Sequence, residues 1–585
     1  MVYSWSYRKC VNDAGYESVD HYFVKLVLPV VAMLVGMFIV LINFLTLPVF
    51  VPYMLLGMGF MFITFYPIVI HEKKKVKINE NMHLFITYAG TIATLDVGRH
   101  ILFEKISQKE DFSEISKVMY KILYLAKKWN LGFATTCRKV GELVPSILLS
   151  DFLDRFAVMM DFGEDLQRFL YEEQVSVMDD FSTLYKESLE NIRLMQEIFV
   201  SLTVSIAFIM AVSLLIPLLI GSSIDLVLIY TLVGIIILDM CLMMFVKNFI
   251  PSDPLFHDLK DKSEGQKRIL KWFSITCPIS TLLTIVLLFF SPLPFLVNVA
   301  IGLTPLLLVG WIAMTEESKV FTKERFYPTF LRSLGSLVEI KSGAIISGIL
   351  ALQVHDFGLL NESIISLYRR LRLGNDKFKC WYKFIVDSGS HLIDKFTKIF
   401  SESIFLGGNA EKIGEIVSNN FNRLLSLRKL KYHLSSSLRG ALYGSLIGFA
   451  TSAYVSSEIA KILADMFTAP MQNMDSGGSE IMASMLGSVL PPINTVDLGK
   501  IYVYIGLMIV FHSLISSLLV KIVDGGSYYS ALFDFVLMVW IGAALSVAIP
   551  SVIHMMLPAV STATPANIAS ELAEDAMNLV LTLLT

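Results

Sequence analysis

The stretch "YPIVIHEKKKVKINE" (Tyr66–Glu80) changes from apolar to basic in its middle. Its residues as far as Ile70 are almost all apolar, whereas His71–Lys77 contains four lysines. A helix needs about 20 apolar residues to cross the hydrocarbon core of a membrane, and basic residues collect where such helices reach the cytoplasm. The stretch therefore predicts the cytoplasmic end of a membrane-spanning helix, followed by a charged segment outside the membrane.

The composition places the chain among polytopic membrane proteins. Of its 585 residues, 55% are hydrophobic and only 17% are charged, whereas a soluble protein carries about 25% charged residues. The five cysteines have no CxxC or paired spacing, which argues against a disulfide framework and a zinc site. The polar N-terminus contains no short apolar stretch with a small-residue cleavage site, so we expect no cleaved signal peptide.

Nine apolar runs are long enough to span a membrane. They lie near residues 24–46, 48–70, 198–220, 226–247, 272–291, 295–314, 438–457, 501–521 and 530–550. Of the 48 basic residues, 17 lie in 71–197 and 19 lie in 315–440. The positive-inside rule then predicts a cytoplasmic N-terminus, a cytoplasmic position for both charged segments and an external C-terminus.

This topology divides the chain into alternating soluble and membrane parts. The expected divisions are a cytoplasmic N-terminus (1–22), a transmembrane hairpin (23–70), a first cytoplasmic helical domain (71–197), four transmembrane helices (198–314), a second cytoplasmic helical domain (315–437), three transmembrane helices (438–555) with an external loop (458–499), and an external C-terminus (556–585). Apolar residues recur every three or four positions in both charged segments, as on one helix face. Ser150, before "DFLDRF", is predicted to be a helix N-cap. The expected fold class is an all-α integral membrane protein.

The two charged segments resemble each other in sequence. "YAGTIATLDVG" (88–98) aligns with "LGSLVEIKSG" (334–343), which matches Gly90 with Gly335 and Gly98 with Gly343. Farther along, "DRFAVMMDFGEDLQRF" resembles "DKFTKIFSESIFLGGNAEKI" and brings Gly163 near Gly408. Self-similarity of this kind indicates an internal repeat. We predict two homologous helical bundles, each followed by membrane helices.

Motifs that would indicate an enzyme are incomplete. DFG occurs at 161–163 and at 356–358, but a kinase also needs a Gly-rich phosphate loop and an HRD-type loop, and neither is present. The chain contains no GxxxxGK[ST] phosphate-binding loop. These motifs therefore predict neither a kinase nor a phosphate-binding loop, and we expect no metal ion and no cofactor.

Asp239 and Asp534 lie within apolar runs, where carboxylates are costly and often functional. One alternative is a transporter with Asp239 as a coupling carboxylate, although this leaves the two charged segments without a role. Another is an intramembrane aspartyl protease, which needs paired carboxylates, although a GxGD signature is missing. The interpretation we favour is structural: Asp239 bonds a neighbouring helix and Asp534 lies near the cytoplasmic interface.

Two basic patches and a glycine stripe are candidate interaction sites. The segment 315–440 has 19 basic and 12 acidic residues, whereas 71–197 has 17 and 20. The partner-binding candidates are Arg369, Arg370 and Arg372 in "YRRLR", and Arg428, Lys429 and Lys431 in "LRKLK". We predict a protein partner for the first patch and anionic lipid for the second. Gly440, Gly444 and Gly448, spaced four apart, predict a face for close helix packing.

This organisation resembles the platform proteins of type II secretion and type IV pilus machines, the F/PilC superfamily. The loop "FIPSDPLFHDLK" (249–260) and the extended C-terminal membrane region are more similar to the platform family of the archaeal flagellum, or archaellum (FlaJ or ArlJ). The resemblance covers residues 80–550 and rests on architecture more than on a signature motif.

The resemblance implies a non-enzymatic assembly platform in the cytoplasmic membrane. Its implied partners are a hexameric secretion ATPase that docks on the cytoplasmic domains, filament subunits (archaellins or pilins), membrane lipid and further copies of the chain. ATP-driven motion of the ATPase would then drive subunit insertion and rotation. Neither charged segment shows a basic–aromatic platform, so nucleic acid is not expected.

Overall fold

The computed structural model describes residues 9–11, 14–16, 19–34, 50–95, 98–220, 224–251, 253–341, 344–473 and 498–556. Regular structure in these ranges is helical throughout, without a strand, so the expected all-α class is confirmed for them. A helical segment at 19–34 precedes the longer helices. These are α1 (Phe50–Ala93), α2 (Arg99–Ser107), α3 (Glu114–Lys128), α4 (Phe133–Gly141), α5 (Ile147–Phe162), α6 (Leu166–Ile220), α7 (Ile224–Phe249), α8 (Glu264–Phe290), α9 (Phe295–Leu303), α10 (Leu306–Ile340), α11 (Ile345–Leu352), α12 (Asn361–Arg372), α13 (Lys377–Ser388), α14 (His391–Phe405), α15 (Ala410–Asn473), α16 (Leu498–Asp524) and α17 (Ala531–Met556).

The chain divides into two compact units. Unit 1 contains Met1–Lys186 and Thr322–Leu427, and unit 2 contains Glu187–Phe321 and Arg428–Thr585. Both charged segments therefore contribute most of their residues to one unit. The divisions fall within helices α6, α10 and α15, so no linker separates the charged segments from the apolar runs that follow them.

Unit 1 repeats one helix order twice. The series α1–α6 and α10–α15 each start with a long helix, continue through four short ones and end with a long helix. The fifth helix of each series begins in the same way: Ser146 accepts a hydrogen bond from the Leu149 N–H, and Ser390 accepts one from the Ile393 N–H. A serine at this position satisfies a backbone donor that the first turn leaves free. The N-cap expected at Ser150 is wrong, because Ser150 lies inside α5 and donates to the Gly141 carbonyl.

The two series pack against each other through buried polar groups as well as apolar ones. The Asn420 amide donates to the Thr87 hydroxyl at 2.9 Å, and the Ser403 hydroxyl donates to that of Thr91 at 2.9 Å. The Tyr88 hydroxyl donates to Glu402 at 3.0 Å. Because buried polar groups are costly unless they are bonded, these pairs fix the relative position of the two series within the unit.

Five of the described helices are long and apolar enough to cross a membrane: Leu166–Val212, Leu228–Phe249, Glu264–Phe290, Gly499–Asp524 and Tyr528–Met555. A sixth span arises if α9 and α10, bent by 46° at their junction, are taken together. These six coincide with predicted spans, and the chain is a membrane protein. The span expected at 438–457 lies inside α15. It is less apolar than the helices named above, because serines and glycines lie among its apolar residues.

The remaining predicted membrane features are only partly covered by the described residues. The predicted span 24–46 extends beyond residue 34, where the described residues stop. The predicted span 48–70 includes residues of α1 whose side chains are not described. The count of nine spans therefore stays a prediction. The expected external loop 458–499 begins as helix, because α15 continues to Asn473. The rest of that loop at 474–497 and the C-terminus beyond Met556 lie outside the described residues.

Candidate docking surface and buried charge clusters

The hairpin between α12 and α13 carries an exposed basic surface in unit 1. We call this surface the basic tip and define it as the exposed residues Arg369, Arg372, Leu373, Lys377, Phe378 and Lys379. The hairpin turns at Gly374, whose φ of 76° lies in the left-handed region that glycine adopts without strain. Asp376 then caps α13 by accepting a hydrogen bond from the Phe378 N–H at 2.9 Å.

The charges of the basic tip are poorly balanced. Asp376 is its only nearby carboxylate in sequence, and this side chain is engaged as the cap. Within the described residues, Arg369, Arg372 and Lys379 make no ion pair of 4 Å or less, and Lys377 lies over the Phe405 ring at 5.8 Å. Leu373 and Phe378 add apolar area, at 79% and 61% exposure. Cations beside exposed apolar side chains fit the surface of an acidic partner.

Arg370 differs from its two neighbours. It pairs with Asp387 of α13 at 2.7 Å, and both side chains are about one-third exposed. This ion pair ties α12 to α13 and leaves Arg370 less able to contact a partner. Arg369 and Arg372 therefore supply the exposed charge of the patch predicted in "YRRLR".

Unit 1 has a related hairpin in the first repeat. There, α3 ends with Lys127 and Lys128, and Trp129 is 67% exposed at the turn. Lys127 reaches Glu104 at 3.4 Å, and Lys128 lies over the Tyr124 ring at 5.0 Å. Since α3 and α12 hold the same place in the two series, this hairpin is a natural control for experiments on the basic tip.

The patch predicted in "LRKLK" is largely interior. Arg428 is 2% exposed and Lys431 is 1% exposed, whereas Lys429 is exposed. Arg428 forms a two-pronged ion pair with Asp253, with the Nε–Oδ2 distance at 2.8 Å, and Lys431 donates to the Asp253 carbonyl at 3.1 Å. The lipid contact expected for Arg428 and Lys431 is wrong for these two side chains, because they are buried and anchor the backbone at Asp253 in unit 2.

Gly525 completes this anchor. Its carbonyl accepts a hydrogen bond from the Leu255 N–H at 2.8 Å, and its φ is 75°. A Cβ atom at this position would lie 2.4 Å from the Asp253 carbonyl oxygen, so only glycine allows the loop to come so close. The surrounding "FIPSDPLFHDLK" stretch is distinctive in the sequence, but nothing in its local spacing predicts Asp253 as the partner of Arg428.

A second buried cluster surrounds Glu317. Its Oε1 accepts hydrogen bonds from the Ser527 N–H at 2.6 Å and from the Ser530 hydroxyl at 2.7 Å. Lys521 approaches the other oxygen of Glu317 at 3.4 Å and also contacts Asp524 at 3.1 Å. These contacts hold the turn between α16 and α17 against α10. The sequence does not predict this cluster, because Glu317 is far along the chain from its partners.

The three glycines of α15 do not meet another helix within the described part of the chain. Cβ atoms placed on Gly440, Gly444 and Gly448 would find no neighbouring atom within 4 Å. Close packing occurs instead at Gly310 of α10, where a Cβ would lie 2.5 Å from the backbone nitrogen of Phe533 in α17. The packing predicted for the α15 stripe therefore stays a prediction that concerns another copy or lipid.

The two intramembrane carboxylates are each bonded to a neighbouring helix. Asp239 of α7 contacts His512 of α16 at 3.1 Å. Asp534 of α17 accepts a hydrogen bond from Tyr443 of α15 at 3.1 Å and lies 3.3 Å from Arg439. Asp239 and Asp534 thus have separate partners, which is not the paired arrangement that an aspartyl protease needs.

The two DFG motifs are turns at helix ends. Gly163, with a φ of 71°, ends α5, and Asp161 beside it pairs with Arg138. Asp356 accepts hydrogen bonds from the Gly358 N–H at 2.9 Å and from Asn361 at 2.7 Å. Short polar side chains commonly stabilise turns in this way.

Comparisons with known proteins identify relatives along nearly the whole chain. Flagella accessory protein J of Methanocaldococcus jannaschii is 35% identical over 544 residues, which cover 90% of this chain and 94% of that protein. Flagella accessory protein J of Methanococcus voltae is 32% identical over 558 residues, which cover 92% of this chain and 97% of that protein. No family model matches the chain. No solved structure matches it either.

Identity at this level over nine-tenths of both chains exceeds what a shared composition of apolar helices would produce. The chain belongs to the archaeal flagella accessory protein J family.

Proposed function

We propose that this protein is the assembly platform of an archaellum, or of a closely related type IV pilus-like machine, in the cytoplasmic membrane. Its relatives are named as flagella accessory proteins, and its spanning helices suit a membrane-embedded part of such a machine. The role is non-enzymatic. Filament subunits are inserted at the platform, and the energy comes from a separate hexameric secretion ATPase.

The observation that carries the proposal is the basic tip. It presents Arg369, Arg372, Lys377 and Lys379 on one exposed hairpin, beside exposed Leu373 and Phe378. Arginines and aromatic side chains are the residues most often important in protein interfaces. Complementary charge raises the association rate and selects the partner, even where each exposed pair contributes only about 0–1 kcal/mol. The ATPase therefore docks on this tip through an acidic surface of its own.

Coupling to the membrane follows the long helices. Helices α6, α10 and α15 each run without a break from residues of unit 1 into residues of unit 2. A helix without a loop is stiffer than a flexible linker, although Pro328 interrupts the backbone hydrogen bonds of α10. We therefore assign to these helices the transfer of ATP-driven motion towards subunit insertion and filament rotation.

The docking test reverses the exposed charges of the basic tip in the full-length protein. The triple variant Arg369→Glu/Arg372→Glu/Lys379→Glu keeps Arg370, because Arg370 holds α12 to α13 through Asp387. Binding to the purified ATPase should weaken strongly at about 0.05 M salt and much less at about 1 M, where the Debye length falls to about 3 Å.

The matched control reverses three exposed lysines of the first repeat, in the variant Lys121→Glu/Lys127→Glu/Lys128→Glu. It changes the net charge by the same amount, and we expect it to bind the ATPase as the wild type does. Equal weakening by both variants would mean that overall charge, not the basic tip, attracts the ATPase. Wild-type binding by the tip variant at low salt would disprove docking at this surface.

A further inference from the structure

Helix α8 of unit 2 is the least buried of the five spanning helices. Only 11% of its most apolar stretch is buried, against 61% for the span Gly499–Asp524. One face of α8 carries exposed apolar side chains at three- and four-residue spacing: Trp272, Ile275, Ile279, Leu282, Val286 and Phe289. Residues at this spacing lie on the same side of a helix. As far as the described residues extend, this side of α8 is open to lipid.

The opposite face of α8 holds the helix in place. Near its start, Ile269 packs against apolar residues of α10. Farther along, the Ser280 hydroxyl donates to the Gly302 carbonyl of α9 at 2.8 Å. Ser263 and Gln266 close the first turn of α8 in a capping box. These contacts determine which face of α8 is turned outward and fix the end of the loop that precedes it.

Basic side chains surround the start of the outward face. The exposed ones are Lys260, Lys262, Lys267, Arg268 and Lys271. In the part of the chain that the structure describes, the four lysines form no ion pair of 4 Å or less. Arg268 lies 3.6 Å from Glu316, whose carboxylate also contacts Lys319 at 2.7 Å. Residues 258–271 contain five basic and three acidic residues, so the stretch is net positive.

The length of the outward face fits a membrane. From Trp272 to Phe290 the helix rises about 27 Å, because each residue adds about 1.5 Å. The hydrocarbon core is about 30 Å thick, with a polar layer of roughly 5–8 Å on each side. We therefore expect Trp272 at the boundary of the core, where tryptophan is enriched. Lys267 and Lys271 then lie within about 8 Å of that boundary, at the depth of the lipid headgroups.

The chemistry of this surface favours lipid over a protein partner. Lysine is depleted in protein interfaces, whereas lysines beside the end of a spanning helix attract anionic lipid. The negative headgroup complements the ammonium groups, and the apolar chains complement the exposed side chains that follow on the same face. Both parts of a lipid molecule thus find a matching part of α8.

We propose that the outward face of α8 is a binding site for anionic lipid, in the leaflet on the side of the 254–263 loop. Lys267 and Lys271 bind the phosphate group of the headgroup, and the apolar chains lie along Ile275 and Ile279. This face takes the place of the lipid contact expected in "LRKLK". The site concerns how the protein is embedded in the membrane and does not depend on ATPase docking at the basic tip.

The test measures quenching of Trp272 fluorescence by brominated lipid in the full-length protein, reconstituted in vesicles. The vesicles contain equal amounts of phosphatidylcholine and phosphatidylglycerol, and one of the two is brominated. The difference between the wild type and Trp272→Phe separates Trp272 from the other tryptophans. Phosphatidylglycerol should be about five-fold enriched beside Trp272, which corresponds to about 1 kcal/mol. The enrichment should shrink at about 1 M salt, where the Debye length is about 3 Å. Equal quenching by the two lipids at low salt would overturn the proposal.

The site variant is Lys267→Gln/Lys271→Gln, and it should lose the enrichment. It keeps Arg268, which balances the largely buried Glu316. The matched control Lys121→Gln/Lys128→Gln removes the same charge from exposed positions of α3 and should keep the enrichment. An enrichment that persists in the site variant, or that falls equally in both variants, would contradict the proposal. If the site variant fails to fold, the comparison of the two lipids in the wild type still decides.

Discussion

Single residues in unit 2 show how buried charges hold an irregular loop in place. Arg428 and Asp253 are 175 positions apart along the chain, yet their side chains meet in a two-pronged ion pair. Burying two charges costs free energy unless hydrogen bonds satisfy both groups. Lys431 contributes a further hydrogen bond, to the Asp253 carbonyl. The pair is therefore a structural anchor for the backbone at Asp253.

We predict that Arg428→Ala destabilises the protein, because it leaves Asp253 partly buried beside Lys431 without its main partner. Breaking a buried pair in this way costs about 3–5 kcal/mol. Unfolding in detergent, followed by denaturant or by heat, measures the loss. The control is Lys429→Ala on the next, exposed position, which should stay within about 0.5 kcal/mol of the wild type. Equal stability of the two variants would show that the anchor is unimportant.

A second prediction at this scale concerns acid. Burial alone would raise the pKa of Asp111, but the Lys395 ammonium, helped by Lys398 and Lys109, lowers that pKa below its usual value. A carboxylate with a lowered pKa stabilises the folded state above the unfolded pKa, and this contribution is lost as the pH falls through the folded value.

Asp111→Asn should therefore be less stable than the wild type at neutral pH, and the difference should shrink as the pH falls below about 4. Unfolding measured at several pH values for both proteins supplies the comparison. A difference that does not depend on pH would mean that Asp111 acts through shape or hydrogen bonding and not through its charge.

At the scale of helices, sequence periodicity predicted which segments are helical but not what they meet. The buried face of α3 contains Ile115, Met119 and Ile122 at the three- and four-residue spacing that predicts a helix, and all three are at most 1% exposed. Local signals were less exact, since the cap of α5 is Ser146 and not Ser150. Contacts between residues that are far apart along the chain, such as Glu317 with Lys521, cannot be predicted from the spacing of nearby residues. Arg369 and Arg372 were predicted because they lie close together in the sequence, whereas the other residues of the basic tip are identified only by the fold of the hairpin.

The glycine stripe of α15 illustrates the same limit. The four-residue spacing of the glycines predicts that they lie on one face of a helix. The three glycines do lie in one helix, α15, but no described helix covers that face. We predict that Gly444→Leu leaves the unfolding free energy of the monomer within about 0.5 kcal/mol of the wild type. A loss of self-association in the variant, measured by its mass in detergent, would assign the face to a second copy.

The matched control is Gly310→Leu. There the new side chain meets the backbone of Phe533 at a distance that no Cβ atom tolerates. Overpacking of this kind costs about 1–3 kcal/mol or more, so this variant should unfold at a lower temperature. If Gly444→Leu destabilises the monomer as much as Gly310→Leu does, α15 packs against a part of the chain outside the described residues.

At the scale of the whole molecule, the charge distribution predicts which side of the membrane each segment faces. Basic residues concentrate in 71–197 and 315–440, with 17 and 19 of the 48. The positive-inside rule predicts that both segments lie in the cytoplasm. Both also contribute most of their residues to unit 1, where helices of the two repeats pack together. Because helices of the two segments pack together, we expect both segments on the same side of the membrane, and the cytoplasmic side stays a prediction of the charge rule.

The prediction is that an exposed cysteine in either segment is shielded from outside. Lys121→Cys and Lys341→Cys should react with a membrane-impermeant maleimide only after the cells are permeabilised. Lys500→Cys, exposed near the start of α16 on the side predicted to be external, should react in intact cells. The parent chain with its five natural cysteines gives the background. Labelling of Lys341→Cys in intact cells would reverse the topology and remove the basic tip from the reach of a cytoplasmic ATPase.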